Sequence, residues 1–118
     1  MRRDIKLGNE VVTMEANAAT PIRFKWVFGE NLFSYFNTQL EGIDYTEFAG
    51  KLAFVMTMSA KKTDMRALTT DDYWEWLESL TGTAIAYAAP EIVDLYLGNE
   101  TATSEPKKKV DQQTGPTL

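Results

Sequence analysis

A chain of 118 residues with 17 acidic against 12 basic side chains, a net charge of −5, and neither cysteine nor histidine has a narrow chemical repertoire. It is long enough for one modest core; it can form no disulfide and carries no thiolate, and it lacks the commonest general base and metal ligand. Its negative balance argues against general binding to nucleic-acid phosphates despite short basic clusters at Arg2-Arg3 and at Lys107, Lys108 and Lys109, and no apolar run reaches the roughly 20 residues that cross a bilayer. The first ten residues have no apolar signal core, so the expected partners include neither nucleic acid nor membrane and the expected location is the cytosol.

Residues 4–15 alternate about Gly8-Asn9, a pair that suits a two-residue type II′ turn. Leu7 then faces Glu10 and Ile5 faces Val12, which puts Ile5, Leu7, Val12 and Met14 on one face and Asp4, Lys6, Val11 and Thr13 on the other. Such a ribbon needs helices beneath it. Its open edges offer a homo-oligomer contact, but a flap over the core is the preferred reading. Thr20-Pro21 supplies an N-cap and a first-turn proline for a helix whose apolar period continues past Gly29 to about Gln39. Continuation costs about 1 kcal/mol at the glycine, and a break with a restart near Glu30 is the alternative.

Residues 43–62 form the best-marked helix. Asp44 and Glu47 have the spacing of a capping box, Ile43 and Phe48 that of a hydrophobic staple, and Lys61 and Lys62 suit the C-terminal end. Its apolar residues surround the axis, so it runs through the domain or offers a second face to a partner. Thr69 or Thr70, with Asp71 and Asp72, starts another helix whose buried stripe is Tyr73, Trp76, Leu77 and Leu80, ending at Gly82. A last short helix is expected from Pro90, because proline clashes in a straight helix, with Gly98 as its cap. From residue 99 apolar side chains nearly vanish, which predicts a flexible tail. The expected architecture is therefore a single α+β, mainly helical domain over residues 1–98, an N-terminal hairpin on about four helices.

Without histidine or cysteine, catalysis would rest on carboxylates: Glu41, Asp44 and Glu47, or Asp71, Asp72, Glu75 and Glu78. Each has a plainer role at a helix start or on a solvated face, and no calcium loop, phosphate loop or dinucleotide fingerprint is present. No enzyme activity, cofactor or metal is expected. Trp26, Phe33, Phe54, Met58 and Trp74 instead lie off the assigned core stripes. They are the candidate partner-binding residues, since aromatics and methionine suit interface cores. Helices packed on both sides of the central one would bury all five, and large aromatics are usually mostly buried.

The order of elements, with TPIRFKWVFGENL at residues 20–32, the central helix, TTDDYWEWLESL at residues 69–80 and a lysine-containing tail, resembles the tail assembly chaperones of long-tailed (siphovirus-type) bacteriophages, especially those of Gram-positive bacteria. The resemblance covers residues 4–100. It implies a non-enzymatic domain that acts in the host cell cytoplasm, coats the tape-measure protein, recruits the major tail (tube) protein, and is not kept in the mature virion. It assigns no individual residue a role, because the family has no invariant catalytic signature. Many such genes carry a ribosomal frameshift near their end, and Lys107, Lys108 and Lys109 could be encoded by a slippery run; an ordinary basic patch is the other explanation. A tail-completion or connector component of the virion and a small acidic inhibitor that mimics nucleic acid are the rival readings. The second would want one dense acidic stripe, whereas acids and bases are interspersed here.

Overall fold

In the computed structural model, which describes residues 1–104 and the side chains of residues 1–98, β1 (Arg2–Leu7) and β2 (Glu10–Glu15) form an antiparallel hairpin. Five α-helices follow among the described residues: α1 (Thr20–Phe28), α2 (Leu32–Phe36), α3 (Gly42–Ala60), α4 (Thr70–Glu78) and α5 (Ala84–Ser104), with a 3-10 turn (Met65–Ala67) before α4. This is the α+β, mainly helical arrangement expected. Leu7 pairs with Glu10 and Ile5 with Val12. Gly8 has φ +66° while Asn9 stays out of the positive region, the sign pattern of a type II′ turn. The resulting face buries Ile5, Leu7 and Met14, β1 lying over α5 and β2 over α3. On the outer face Thr13 donates a 2.7 Å hydrogen bond to Asp4.

The first helix does not continue past Gly29. Gly29 takes φ +70° and donates its N–H to the Lys25 carbonyl, and Asn31 then caps α2 by accepting the Phe33 N–H. Inside a helix the glycine would cost about 1 kcal/mol, whereas at a left-handed cap it costs almost nothing. The break also turns Tyr35 onto Phe48, stacked at 4.7 Å, and brings Glu30 within 2.9 Å of Lys51. Thr20 is likewise not the N-cap. It sits in the first turn, buried, where its hydroxyl accepts the Asn17 N–H while the Asn17 side chain accepts from Ala19.

Helix α3 runs through the middle, buried on nearly every side from Phe48 to Ser59. Its start differs from the expected capping box and staple. Gly42, at φ +58°, lets the helix begin early, so Asp44 falls in the first turn with no capping bond, and Ile43 is 79% exposed instead of clamping Phe48. At the other end Lys62 stands at φ +62°, its N–H reaching the Ser59 carbonyl and that of Thr63 reaching Met58. That is a Schellman ending with lysine where glycine is preferred. Lys62→Gly is expected to raise stability by about 0.5–1 kcal/mol, read from the urea midpoint at unchanged m; an unchanged or lower midpoint would refute the strain.

A true capping box occurs at α4. Thr69 accepts the Asp72 N–H and Asp72 accepts that of Thr69 at 2.8 Å. The expected helix start at Pro90 and cap at Gly98 are both overturned, since α5 runs unbroken through them. Ala84, Ile85, Ala88 and Ala89 are buried around the preceding turn and hold it in place, while Pro90 and Ala86 lie on the exposed side, where the freed carbonyl can be hydrated. Of the tail expected from residue 99, residues 99–104 are the last of α5, and the remainder, with Lys107, Lys108 and Lys109, lies outside the described residues.

Candidate apolar binding site

The five candidate contact residues divide. Phe54 is only 1% exposed, its ring packed 5.6 Å from Tyr73, 5.5 Å from Trp76 and 6.3 Å from Phe28, because α4 covers that side of α3. It is a core residue, which corrects the expectation of a surface contact. Met58 is half-buried against the same cluster. Trp26, Phe33 and Trp74 remain 54%, 48% and 58% exposed.

These three define two separate surfaces. Trp26 and Phe33 meet with Ile22 and Pro21 in a cleft between α1 and α2, where the Arg66 guanidinium stands 6.0 Å from the Trp26 ring centroid. Trp74 instead forms one wall of a groove of about 470 Å³. The groove is lined as well by Ile43, Thr46 and Glu47 at the start of α3, by Tyr73 and Leu77 of α4, by Leu80, Thr81 and Gly82 of the connection that follows, and by Ile85 and Ala86 of α5. The two surfaces share no lining residue.

At the floor of the groove Tyr73 is 4% exposed, and its hydroxyl makes no hydrogen bond to any described residue. The phenol lies so close to α3 that a Cβ on Gly50 would stand 3.0 Å from its oxygen, a tight contact that would press the ring outward by a few tenths of an ångström. Burial pushes its pKa up to about 12, against a partial opposing effect of the Lys51 charge. The folded protein therefore holds this proton where the unfolded chain, with the ordinary value of 10.0, releases it. Stability from this source is full below about pH 10 and is lost as the pH rises toward 12. Ultraviolet titration should show a phenolate step near pH 12 that Tyr73→Phe lacks; an unchanged titration curve would contradict the burial.

Charge around the groove is mainly acidic. Glu47 lines it, paired at 3.7 Å with Lys51 beneath, Asp71 and Glu78 stand one turn to either side of Trp74 on α4, and no lysine or arginine is among the lining residues. Of the other expected carboxylates, Asp72 is engaged in the capping box. Among the described residues no group of acidic side chains is placed to hold a metal ion, and no helix is long and apolar enough to cross a membrane.

Sequence periodicity missed the groove as an assembly. It put Tyr73 and Leu77 in a core stripe and Ile43 in a staple, and only Trp74 stood out as unassigned. The detectable signal was Ile43, an apolar residue before the core-facing period begins. In comparisons with known proteins the chain matches no family model, no curated protein and no solved structure, so its function has to be read from these two surfaces and from the pattern of its sequence.

Proposed function

We propose that this protein is a phage tail assembly chaperone: a non-enzymatic domain that binds the tape-measure protein and recruits tail-tube subunits in the host cytoplasm, without entering the finished particle. The observation that carries the reading is the pair of apolar surfaces, one around Trp74 and one around Trp26 and Phe33, on a single small acidic domain. An adaptor with two clients needs two such faces. A tape measure exposes apolar helical seams until the tube encloses it, and net negative charge keeps a protein with exposed aromatics from self-association. The element order that resembles this family supports the same reading, and a longer frameshifted form diverging near Lys107, Lys108 and Lys109 belongs to the proposal.

The test is co-expression with the tape-measure protein, scoring its soluble fraction and the presence of this chain in purified particles. Of Trp74→Asp and Trp26→Asp, both at exposed positions that leave the core intact, the one on the tape-measure face should lower the soluble fraction severalfold, and the double variant should do so as well. The reading fails if the double variant, folded by circular dichroism, protects the tape measure as well as the parent does. It also fails if the chain is retained stoichiometrically in mature particles.

A further inference from the structure

We infer that the α3–α4–α5 groove is a docking site for a basic amphipathic helix, with apolar side chains seated between Ile43 and Trp74 and lysine or arginine side chains facing Glu47, Asp71 and Glu78. The inference rests on the chaperone reading for the identity of the client, whereas the chemistry of the groove stands without it. Three observations converge. The walls are apolar and incompletely buried, Ile43 and Trp74 both being more than half exposed, so the groove is an open trough and does not enclose a small molecule. Its rim carries the carboxylates of Asp71 and Glu78 and that of Glu47, the last shared with Lys51, and its lining carries no cation. Its floor is the Tyr73 side chain, 4% exposed, whose ring offers a docked segment an apolar base while its hydroxyl packs toward Gly50 of α3.

Charge selects among the occupants. A second copy of this chain docking through the same groove about a two-fold axis would set two acidic rims against each other, which like-charge repulsion disfavours. An acidic helix meets the same obstacle. A basic helix with an apolar stripe satisfies both the trough and the rim, in the manner of helices laid into hydrophobic grooves. The cleft beside Trp26 has the opposite character, with Lys25 in its lining and Arg66 over the indole, so the two surfaces discriminate between clients by charge.

The experiment uses the full chain, isotope-labelled, titrated with three 18-residue peptides: a Leu/Lys amphipathic helix, a Leu/Glu helix with the same apolar pattern, and a Lys/Ser peptide without the stripe. The expected result is saturable chemical-shift change at Trp74, Leu77 and Ile43 with the Leu/Lys peptide. Binding of the other two should be at least about tenfold weaker. Trp74→Ala should weaken the Leu/Lys peptide about tenfold and Trp26→Ala should leave it unchanged, while Glu47→Gln with Glu78→Gln should narrow the gap between the Leu/Lys and Leu/Glu peptides. Equal affinity for both amphipathic peptides, shifts confined to α1 and α2, or a concentration-dependent dimer that buries Trp74 without peptide would overturn the inference. If the peptides fail while tape-measure solubility still depends on Trp74, the basic-helix chemistry is wrong and the chaperone reading survives. Peptide binding through Trp74 with no effect of the Trp26→Asp/Trp74→Asp double variant on the tape measure supports the groove and removes the chaperone.

Discussion

Replacing Phe54 by alanine is expected to destabilise the domain by about 3–5 kcal/mol, the cost of removing a fully buried phenylalanine and leaving its cavity. Its ring is where three elements meet: Phe28 at the end of α1, Tyr73 and Trp76 on α4, and α3 itself. None of these neighbours can collapse into the space cheaply, because Phe28 is already held in edge contact with Tyr73 at 5.0 Å and Tyr73 is lodged against Gly50. For a domain of this size the loss corresponds to a drop in melting temperature of more than about 10 °C. Trp74→Ala removes a larger ring that is 58% exposed, and should shift stability by no more than about 1 kcal/mol. A thermal melt of the two variants beside the parent separates core from surface directly. If Phe54→Ala melts with the parent, α4 does not pack on α3 through this ring. The same contrast governs functional tests: a charge at Phe54 would abolish client binding by unfolding the domain, so it carries no information about a contact.

The hairpin was legible because everything that determines it is local. Alternation sets the face, Gly8-Asn9 sets the turn, and a slip of one residue would have exposed Ile5, Leu7 and Met14 together. The capped start of α4 was legible for the same reason. Helix ends were read wrongly where a residue had two physically acceptable uses. Gly29 and Gly42 are both used at positive φ, where glycine is almost free of strain, so α1 ends and α3 begins at positions that the apolar period alone does not mark. Pro90 was the converse case: its penalty is real, but burial of its α5 neighbours outweighs it. The groove was the least legible feature, because it is made by three segments whose relative placement depends on tertiary packing. Trp74, Ile43 and Ile85 have no sequence relationship that announces their meeting. Off-stripe position alone could not tell Phe54 from Trp74, since burial of a second helix face depends on whether another helix arrives to cover it.

Gly8→Ala tests how far the hairpin is tied to that groove. Alanine at φ +66° pays the left-handed penalty of about 1–2 kcal/mol, and its Cβ would also stand 2.5 Å from the Thr81 hydroxyl oxygen, a distance that forces one of them to move. The combined cost is expected to be about 2–3 kcal/mol, larger than for an ordinary surface turn. Thr81 belongs to the segment joining α4 to α5 and lines the end of the groove, so the displacement should also reduce binding there. The two contributions can be separated. Thr81→Ala removes the clashing oxygen while leaving the backbone strain at position 8, so the double variant should recover about 0.5–1.5 kcal/mol relative to the sum of the single changes. Coupling of that size between a β-turn and a loop more than 70 positions later in the sequence follows from their contact and from nothing local. If the two substitutions are additive, the close approach of the turn to Thr81 is not what makes glycine necessary, and only the backbone conformation remains to account for it.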